Sequence, residues 1–308
     1  MRDDGASGLG VGAAGMLARA LGLSLLVALT TATTQRAVAQ DVGLDAGPIE
    51  APENAERPAA PATADEWRFR VGLGVGLRPD YMGSDDYEAV PIPQLTAYKG
   101  PQYVNLTGTY LFSNVIPSPN WRLGPTAKFI RGDRCNANDS RVNDMKCQAN
   151  ALMLGATGGY AFVVPGIGVP QARLTPALEM VGDVAGANDG YTIEPQLNFA
   201  QRLSDSWRLG LRGFGTWGSG NYNGYYFGVN AVQSRDSGLS QHNANSGFYQ
   251  TGLLSVVDYD ITEHWKLSLI GRYTRMVDDA KDSPIVDGKD ARGSANQFFG
   301  GTVVSYGW

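Results

Sequence analysis

This sequence is poor in cysteine, histidine and positive charge, and it has no long apolar run after Ala39. Two cysteines and two histidines in 308 residues leave few candidates for a metal centre or a catalytic histidine. The 25 lysines and arginines are outnumbered by 30 aspartates and glutamates, which argues against a nucleic-acid partner, because nucleic acid requires a basic patch. A membrane-spanning helix would need roughly 20 apolar residues, and the chain after Ala39 offers none of that length.

What the sequence does contain is glycine, aromatic residues and a period-two pattern. In segment 67–78, aromatic and aliphatic residues occupy the odd positions, and arginines and glycines occupy most of the even ones. This alternation suits a β-strand wall between lipid and a polar lumen. A soluble sandwich strand with one solvated face is the alternative, but glycine is a poor choice there because it weakens strands. Alternation also explains the negative mean hydropathy, since the two faces cancel in any window.

Further alternating segments predict an all-β, antiparallel transmembrane β-barrel. Each is about ten residues long, the length that a tilted strand needs to cross the hydrocarbon core. They lie at 103–112, 121–130, 151–162, 171–181, 191–202, 207–217, 248–260, 265–276 and 298–308. A weaker segment at 89–98 contains Pro91 and Pro93, each of which removes a ladder donor. Adding 223–232 as a strand gives twelve strands, the count we predict; omitting 89–98 gives ten, the alternative.

The N-terminal 66 residues predict export followed by a tether. An apolar run at 17–32 leads to Ala37-Val38-Ala39, a small-x-small cleavage pattern, so residues 1–39 are interpreted as a signal peptide whose true start is Met1 or Met16. Residues 40–66 are rich in Ala, Pro, Asp and Glu and cannot bury enough apolar surface to fold, which indicates a disordered periplasmic tether. The predicted barrel domain is 67–308.

The connections between the predicted strands differ in length at the two ends. Three short polar turns, at 119–121, 205–207 and 263–265, end in a tryptophan and are assigned to the periplasmic side. Longer segments at 132–150, 184–190, 218–247 and 277–293 fit extracellular loops. The last strand carries a C-terminal barrel signal, expected to contact outer-membrane lipid and the barrel-assembly machinery, in Phe298, Val304, Tyr306 and Trp308.

Few residues qualify as a chemical site. Cys135 and Cys147 lie in one polar loop of an exported protein and predict a disulfide worth about 2 to 4 kcal/mol. The acidic residues Asp80, Asp85, Asp86 and Glu88 are weak candidates for a hard cation, but they lack the regular spacing of a calcium loop. Only His242 and His264 could serve as a catalytic base, and both are interpreted as ordinary surface residues. No enzyme activity and no cofactor is predicted.

The polar face of the predicted strands carries charges of both signs. A channel would use them to line an open path, whereas opposite charges can also pair across a barrel of ten or twelve strands and close it. The candidate lumen-facing residues are Arg68, Arg70, Arg122, Lys128, Arg173, Glu179, Glu194, Arg208, Arg212, Lys266 and Arg272.

Several motifs, in order along the mature chain, resemble the MipA/OmpV family of Gram-negative outer-membrane proteins. They are the segment Arg78-Pro79-Asp80-Tyr81-Met82-Gly83-Ser84-Asp85-Asp86-Tyr87 with Pro91-Ile92-Pro93, Tyr225-Tyr226-Phe227-Gly228-Val229 with Ser237-Gly238-Leu239, Trp265-Lys266-Leu267 through Arg272-Tyr273-Thr274-Arg275-Met276, Asp282-Ser283-Pro284-Ile285-Val286, and the terminal strand. The resemblance implies location in the outer membrane. It implies a scaffold that joins a lytic transglycosylase to a murein synthase, with a porin-like channel for small solutes or antibiotics as the alternative. It brings no catalytic residues.

Overall fold

The computed structural model describes residues 66–132, 134, 137–169 and 171–308, and the predicted signal peptide and nearly all of the predicted tether lie outside them. The strands are β1 Arg68–Pro79, β2 Tyr87–Lys99, β3 Gln102–Thr107, β4 Tyr110–Asn114, β5 Trp121–Ile130, β6 Ala151–Tyr160, β7 Phe162–Val164, β8 Ala172–Asp183, β9 Tyr191–Arg202, β10 Trp207–Gly218, β11 Gly247–Asp260, β12 Trp265–Met276 and β13 Asn296–Gly307. The helices are α1 Ser140–Asn143, α2 Gly220–Phe227, α3 Ala231–Ser237 and α4 Asp278–Lys281. None of the helices in this part of the chain is long and apolar enough to cross a membrane.

These strands close into an antiparallel barrel. Successive strands pair from β1 to β6 and from β7 to β13, β13 returns to pair with β1, and β6 pairs with β8. The short β7 pairs with the start of β8 and continues the line of β6, so the wall has twelve strands. The predicted count of twelve is confirmed. Long connections gather at one end, here called the loop end, and short ones at the other, the turn end.

The twelfth strand is not where the sequence pattern placed it. The predicted strand at 223–232 is wrong, because this segment forms α2 and the start of α3 inside a loop. The missing strand comes from segment 103–112, which is a hairpin of β3 and β4 that reverses at Gly108, where φ is 60°. The reversal also changes which residues face inward: Tyr110 and Phe112 are buried inside the barrel, although the continuous pattern placed them with the outward-facing Val104.

The prolines of β2 sit where a strand can accept them. The carbonyl of Pro93 accepts a hydrogen bond from the Gly108 amide at 2.8 Å, so the odd residues of β2 direct their backbone groups toward β3. However, β3 pairs with β2 only from Gln94 to Lys99, because the β3–β4 hairpin is short. The nitrogens of Pro91 and Pro93 therefore face an edge without a ladder, where an N–H group would have no strand partner. Pro91 and Pro93 would weaken a strand that is hydrogen-bonded on both sides, but at this unpaired edge they remove no ladder hydrogen bond.

Three turns at the turn end share one hydrogen-bonding scheme. In each turn a side-chain hydroxyl oxygen accepts hydrogen bonds from two backbone N–H groups, those of the residues two and three positions later in the chain. The residue three positions later is a tryptophan in all three turns. The hydroxyls belong to Ser118, Ser204 and Thr262, with bond lengths from 3.0 to 3.3 Å. The recurrent turn before a tryptophan therefore has a local cause, since hydroxyl side chains often satisfy turn amides in this way.

The outer face of the barrel is apolar between two belts of aromatic residues. At the turn end, the rings of Trp207 and Tyr259 are tilted with centroids 4.6 Å apart, and those of Trp265 and Tyr306 meet edge to face at 5.1 Å. At the loop end, Tyr273 contacts Phe298 at 5.1 Å. Phe298 and Tyr306 lie eight positions apart on β13, which at about 3.3 Å per residue and a tilt of about 40° separates the belts by roughly 20 Å. This spacing approaches the apolar band of an outer-membrane barrel.

Close strand approach on the inner face requires glycine at position 74. A Cβ atom on Gly74 would lie 2.2 Å from the carbonyl oxygen of Thr302 and 2.9 Å from the Cα of Val303, both backbone atoms. We expect Gly74→Ala to lower the free energy of unfolding by about 1 to 3 kcal/mol, as overpacking does. On the outer face a Cβ on Gly300 would meet nothing within 4 Å, so Gly300→Ala is the matched control.

Chemical unfolding of the refolded chain in lipid vesicles measures both glycine variants. The control variant should be neutral or slightly stabilising, because glycine weakens a strand interior. Equal stability of the Gly74→Ala and Gly300→Ala variants would contradict the close approach of β1 and β13.

Candidate functional site: the filled lumen and its cap

All eleven charged residues predicted for the lumen lie on the inner faces of their strands. Seven are buried and four are partly buried, while the alternating apolar neighbours on the outside are exposed. The buried residues are Arg70, Arg122, Lys128, Glu179, Glu194, Arg212 and Lys266; the partly buried ones are Arg68, Arg173, Arg208 and Arg272. The inner face is therefore the place to look for function.

An ion pair that bridges over β6 lies at the centre of this face. Lys128 Nζ on β5 lies 2.6 Å from Glu179 Oε1 on β8, and both side chains are almost fully buried. Thr157 on β6 donates to Glu179 Oε2 at 3.0 Å, and the Tyr110 hydroxyl on β4 donates to the same oxygen. Side chains from four strands thus meet at the Glu179 carboxylate. This network fixes their positions within the lumen and takes the place of contacts with water.

Several polar side chains elsewhere on the inner face are also paired. Arg208 forms a two-pronged contact with Asp260 at 2.8 and 2.5 Å near the turn end. Arg212 donates to Asn198 at 2.7 Å. Glu194 accepts a hydrogen bond from Thr216 at 2.7 Å. Charges of both signs neutralise one another locally. Of the two alternatives that the sequence allowed, an open charged path or paired charges that close the lumen, this arrangement is the second.

Part of the inner face is apolar, which the sequence analysis missed. Val90 and Ile92 on β2 pack against Leu254 on β11 and Val303 on β13, with Phe299 at the side of the cluster. The signal was present in the sequence, since these aliphatic residues occupy the inward phase of their strands. It was overlooked because the charged residues of the same phase suggested an aqueous lumen.

The lumen is filled at mid-height. A water-sized sphere reaches none of the surface of Ile92 or Val303 and 1% of the surface of Glu179, although all three face inward. A cavity of about 30 Å³ remains between residues such as Tyr103 and Arg212, enough for a single water. Water-inaccessible inner side chains are those of a packed interior, not of a wide aqueous pore.

The loops fold over the loop end and form a cap with its own apolar core. Phe227 of α2 is fully buried, and its ring lies 5.5 Å from that of Tyr249. Ile285 and Val286 from the β12–β13 loop and Met145 from the β5–β6 loop belong to the same core. A cap whose loops share one core is held by packing and closes this end of the barrel.

Capping residues explain why the β10–β11 loop is helical. The Ser219 hydroxyl accepts from the Tyr222 amide and begins α2. Asn230 and Gln233 form a reciprocal capping box at the start of α3, and Gly238 ends α3 with φ of 73°. The aromatic residues of α2 then face the cap core, which a sequence reading as a strand could not anticipate.

Hydrogen bonds and ion pairs lock the β1–β2 loop to the cap. The Tyr81 hydroxyl donates to the carbonyls of Ile285 at 3.2 Å and Arg292 at 3.0 Å. Burial, reinforced by Asp139 and Asp80, raises the pKa of Tyr81, so its hydroxyl remains a donor across the ordinary pH range. The cap is therefore tied together by polar contacts as well as by packing.

The turn end presents an apolar side chain on a fixed loop. The Gln201 side chain donates to the carbonyl of Ile167 and accepts from its amide, both at 2.7 Å. Gln201 is buried, whereas the Ile167 side chain is 73% exposed. This pair of hydrogen bonds, here called the Gln201 clasp, fixes the backbone of the loop at Ile167 and leaves the Ile167 side chain exposed to solvent.

Comparison with known proteins shows which family this barrel belongs to. The model of the family described as MltA-interacting protein MipA matches residues 71–308. The chain belongs to the MipA family. The MltA-interacting protein of Escherichia coli (strain K12) is 26% identical over 227 residues, covering 72% of this chain and 85% of that protein. The outer membrane protein OmpV of Vibrio cholerae is 35% identical over 88 residues, 29% of this chain and 31% of that protein.

This MipA-family chain is an integral outer-membrane β-barrel, and the Vibrio relatives are named as outer membrane proteins. Among solved structures, an outer membrane channel from Pseudomonas putida F1 is similar with a TM-score of 0.39 and 10% identity, covering 82% of this chain and 99% of that one. The barrel itself is established by the closed ring of strand pairs.

The acidic residues near the start of the MipA match are occupied by protein partners. Glu88 lies 2.6 Å from Arg78, and Asp86 lies 3.1 Å from Arg292. Asp80 accepts a hydrogen bond from the Asn138 amide at 2.8 Å. No group of three or more potential metal ligands occurs among the described residues. Asp80 and Asp86 thus join loops of the cap, whereas Glu88 pairs with the neighbouring strand β1. A cation role for these residues stays a prediction.

The remaining sequence candidates have structural positions but no demonstrated role. Cys135 lies outside the described residues, so its disulfide with Cys147 stays a prediction. His264 contacts the carbonyl of Gly307 at 3.0 Å, and His242 contacts that of Asp279 at 2.8 Å, which suits structural histidines. The C-terminal residues Phe298, Val304, Tyr306 and Trp308 are exposed on the outer face, and their part in assembly stays a prediction.

Proposed function

We propose that this MipA-family barrel is a scaffold that holds murein-remodelling enzymes, such as a lytic transglycosylase and a murein synthase, at the inner face of the outer membrane. The observation that carries the proposal is the filled lumen: the inner side chains are paired or packed together, and the cap covers the loop end. A barrel built in this way is suited to anchoring a partner, since it offers surface but no wide path. The name of the E. coli relative, MltA-interacting protein, points to the same class of partner.

The proposed docking surface is the turn end together with the tether at 40–66. The turn end carries the clasped Ile167, and exposed aliphatic residues in short loops such as Val115 and Ile261 lie at the same end. Anchors of this kind contribute most when they are held rigidly, because little entropy is lost on binding. The tether adds length that the short turns lack.

A binding experiment tests this surface. The full mature chain, in detergent, is immobilised and titrated with a purified lytic transglycosylase and with a murein synthase of the same bacterium. We expect saturable binding to at least one of them, and a loss of binding when residues 40–66 are deleted. Ile167→Asp should weaken binding about tenfold or more, as truncation of an interface anchor does.

Val184→Asp provides the matched control, because Val184 is a similarly exposed aliphatic residue at the loop end. It should leave binding unchanged. If the folded chain binds neither enzyme, the scaffold proposal is wrong. If it binds but tolerates the tether deletion, the tether is dismissed as the docking arm, and Ile167→Asp then decides whether the turns are used.

The alternative function, a porin-like channel for small solutes or antibiotics, draws on the polar lumen residues. Planar-bilayer recording of the correctly inserted chain separates it from the scaffold. We expect no conductance steps from the intact chain. We also expect none from a variant whose cap is opened, because the layer of Ile92, Leu254 and Val303 still fills the barrel. Discrete, reproducible conductance steps from the intact chain would favour the channel.

A further inference from the structure

A large cavity lies within the cap, at the end opposite the proposed docking surface. Its volume is about 910 Å³, within the range of small-molecule sites, and its walls come from the β5–β6 loop and the β10–β11 loop. Neither the packing of the barrel nor the proposed scaffold makes use of it. A polar cavity of this size needs an explanation of its own.

The charge of the walls has one sign. Arg134 and Lys146 both line the cavity together with His242, and no aspartate or glutamate is among the described residues of the lining. This is notable in a chain whose formal net charge is −5. The carboxylate of Asp279 contacts the lining from outside and is engaged with Asn245 through hydrogen bonds of 2.9 and 3.0 Å. The walls therefore favour a negatively charged occupant.

Arg134 is the unusual member of this lining. It is 2% exposed, and its Nη2 donates to the carbonyl of Tyr226 at 2.6 Å. No ion pair links it to a carboxylate within the described ranges, and burial lowers its pKa to about 10. A guanidinium has five donors, so one backbone carbonyl leaves much of its hydrogen-bonding capacity for another group. Buried charges in proteins are ordinarily paired, and the cavity is where a partner could sit.

The shape and polarity of the cavity indicate the size and kind of that partner. Gly220 and Gly224 of α2 and Gly228 just after it line the cavity, and these three residues place no side chain in the space. Residues with carboxamide side chains, which both donate and accept hydrogen bonds, line the rest of it: Gln148, Asn230, Gln233, Asn243 and Asn245. Four of these side chains already use part of that capacity within the cap, because the Gln148 and Asn245 amide groups donate to protein oxygens and the Asn230 and Gln233 oxygens accept backbone amides. A simple inorganic ion would leave most of this volume empty, whereas a hydroxylated molecule could use the amides.

We propose that the cap cavity is a binding site for a small hydroxylated organic anion, such as an acidic sugar, whose carboxylate pairs with Arg134 and Lys146. The carboxamides contact the hydroxyl groups, and the aromatic ring of Tyr225 forms part of the wall. The site lies at the loop end and is independent of the scaffold function. Binding stabilises the cap, because the anion offsets the cost of burying Arg134.

The test uses the full chain in detergent with glucuronate as the probe and glucose as its neutral counterpart. Isothermal titration calorimetry should show saturable glucuronate binding, with glucose weaker by about tenfold or more, as expected for loss of a charge-assisted contact. Arg134→Met should weaken glucuronate by a similar factor. Because this change could also disturb the cap, Lys146→Gln at an exposed position is the second variant, with an expected loss of about threefold or more.

Arg235→Gln is the matched control, since Arg235 is an exposed arginine of α3 that does not line the cavity. It removes the same charge from the cap and should leave binding unchanged. Three results would overturn the proposal: no saturable binding of glucuronate by the chain with its cap folded, equal binding of glucose, or undiminished binding in both Arg134→Met and Lys146→Gln. Limited proteolysis of the loops reports that the cap is folded in each variant.

Discussion

Lys128→Met is expected to lower the free energy of unfolding of the barrel by about 3 to 5 kcal/mol, because it leaves a buried carboxylate without its cation. Glu179 is 1% exposed, and its remaining contacts with Thr157 and Tyr110 supply hydrogen bonds but no charge. Chemical unfolding of the refolded chain in lipid vesicles, followed by tryptophan fluorescence, measures the loss.

The double variant Lys128→Met with Glu179→Gln separates the cost of the orphaned charge from the value of the pair. Removing both charges should recover a large part of the lost stability, since a neutral pair of similar volume is often tolerated. Arg202→Met serves as the control for loss of a surface pair, because Asp205, its partner at 3.0 Å, is fully exposed. That change should cost no more than about 1 kcal/mol. A loss for Lys128→Met as small as that of the control would show that the lumen is hydrated.

Phe227→Ala is expected to open the cap while the barrel stays folded. Phe227 is fully buried, and its carbonyl also accepts a hydrogen bond from the Ser283 hydroxyl at 2.6 Å, so α2 and the β12–β13 loop meet at this residue. Removing the ring deletes core contacts worth about 3 to 5 kcal/mol. The loss falls on the cap, because the wall strands keep their own hydrogen-bond ladders.

Limited proteolysis and hydrogen exchange measure this effect. Amides of the β10–β11 and β12–β13 loops should exchange faster and the loops should be cleaved, whereas the heat-dependent gel shift of the barrel persists. Val232→Ala, at an exposed apolar position of α3, is the matched control and should leave loop protection as it was. Unchanged protection in Phe227→Ala would mean that the cap loops are held independently of their shared core.

The candidate site was predictable only in part. The inward phase of Lys128 and Glu179 follows from alternation along each strand, but their pairing does not. Lys128 on β5 and Glu179 on β8 meet because the ring of strands brings them to the same height with β6 between them. The apolar layer containing Ile92 and Val303 could not be predicted either, because strands from opposite ends of the sequence contribute to it and only barrel closure brings them together.

The sequence by itself determined the wall of this protein. Period-two alternation, short polar turns before tryptophan and an aromatic C-terminal strand are local properties, and they predicted the barrel and all but one of its strands. Only the tertiary structure decided that 103–112 is a hairpin, that the loops share a core, and that the lumen is filled. A tight reversal at Gly108, the packing of loops and contacts across a barrel depend on which distant residues meet, and closure of the sheet settles that.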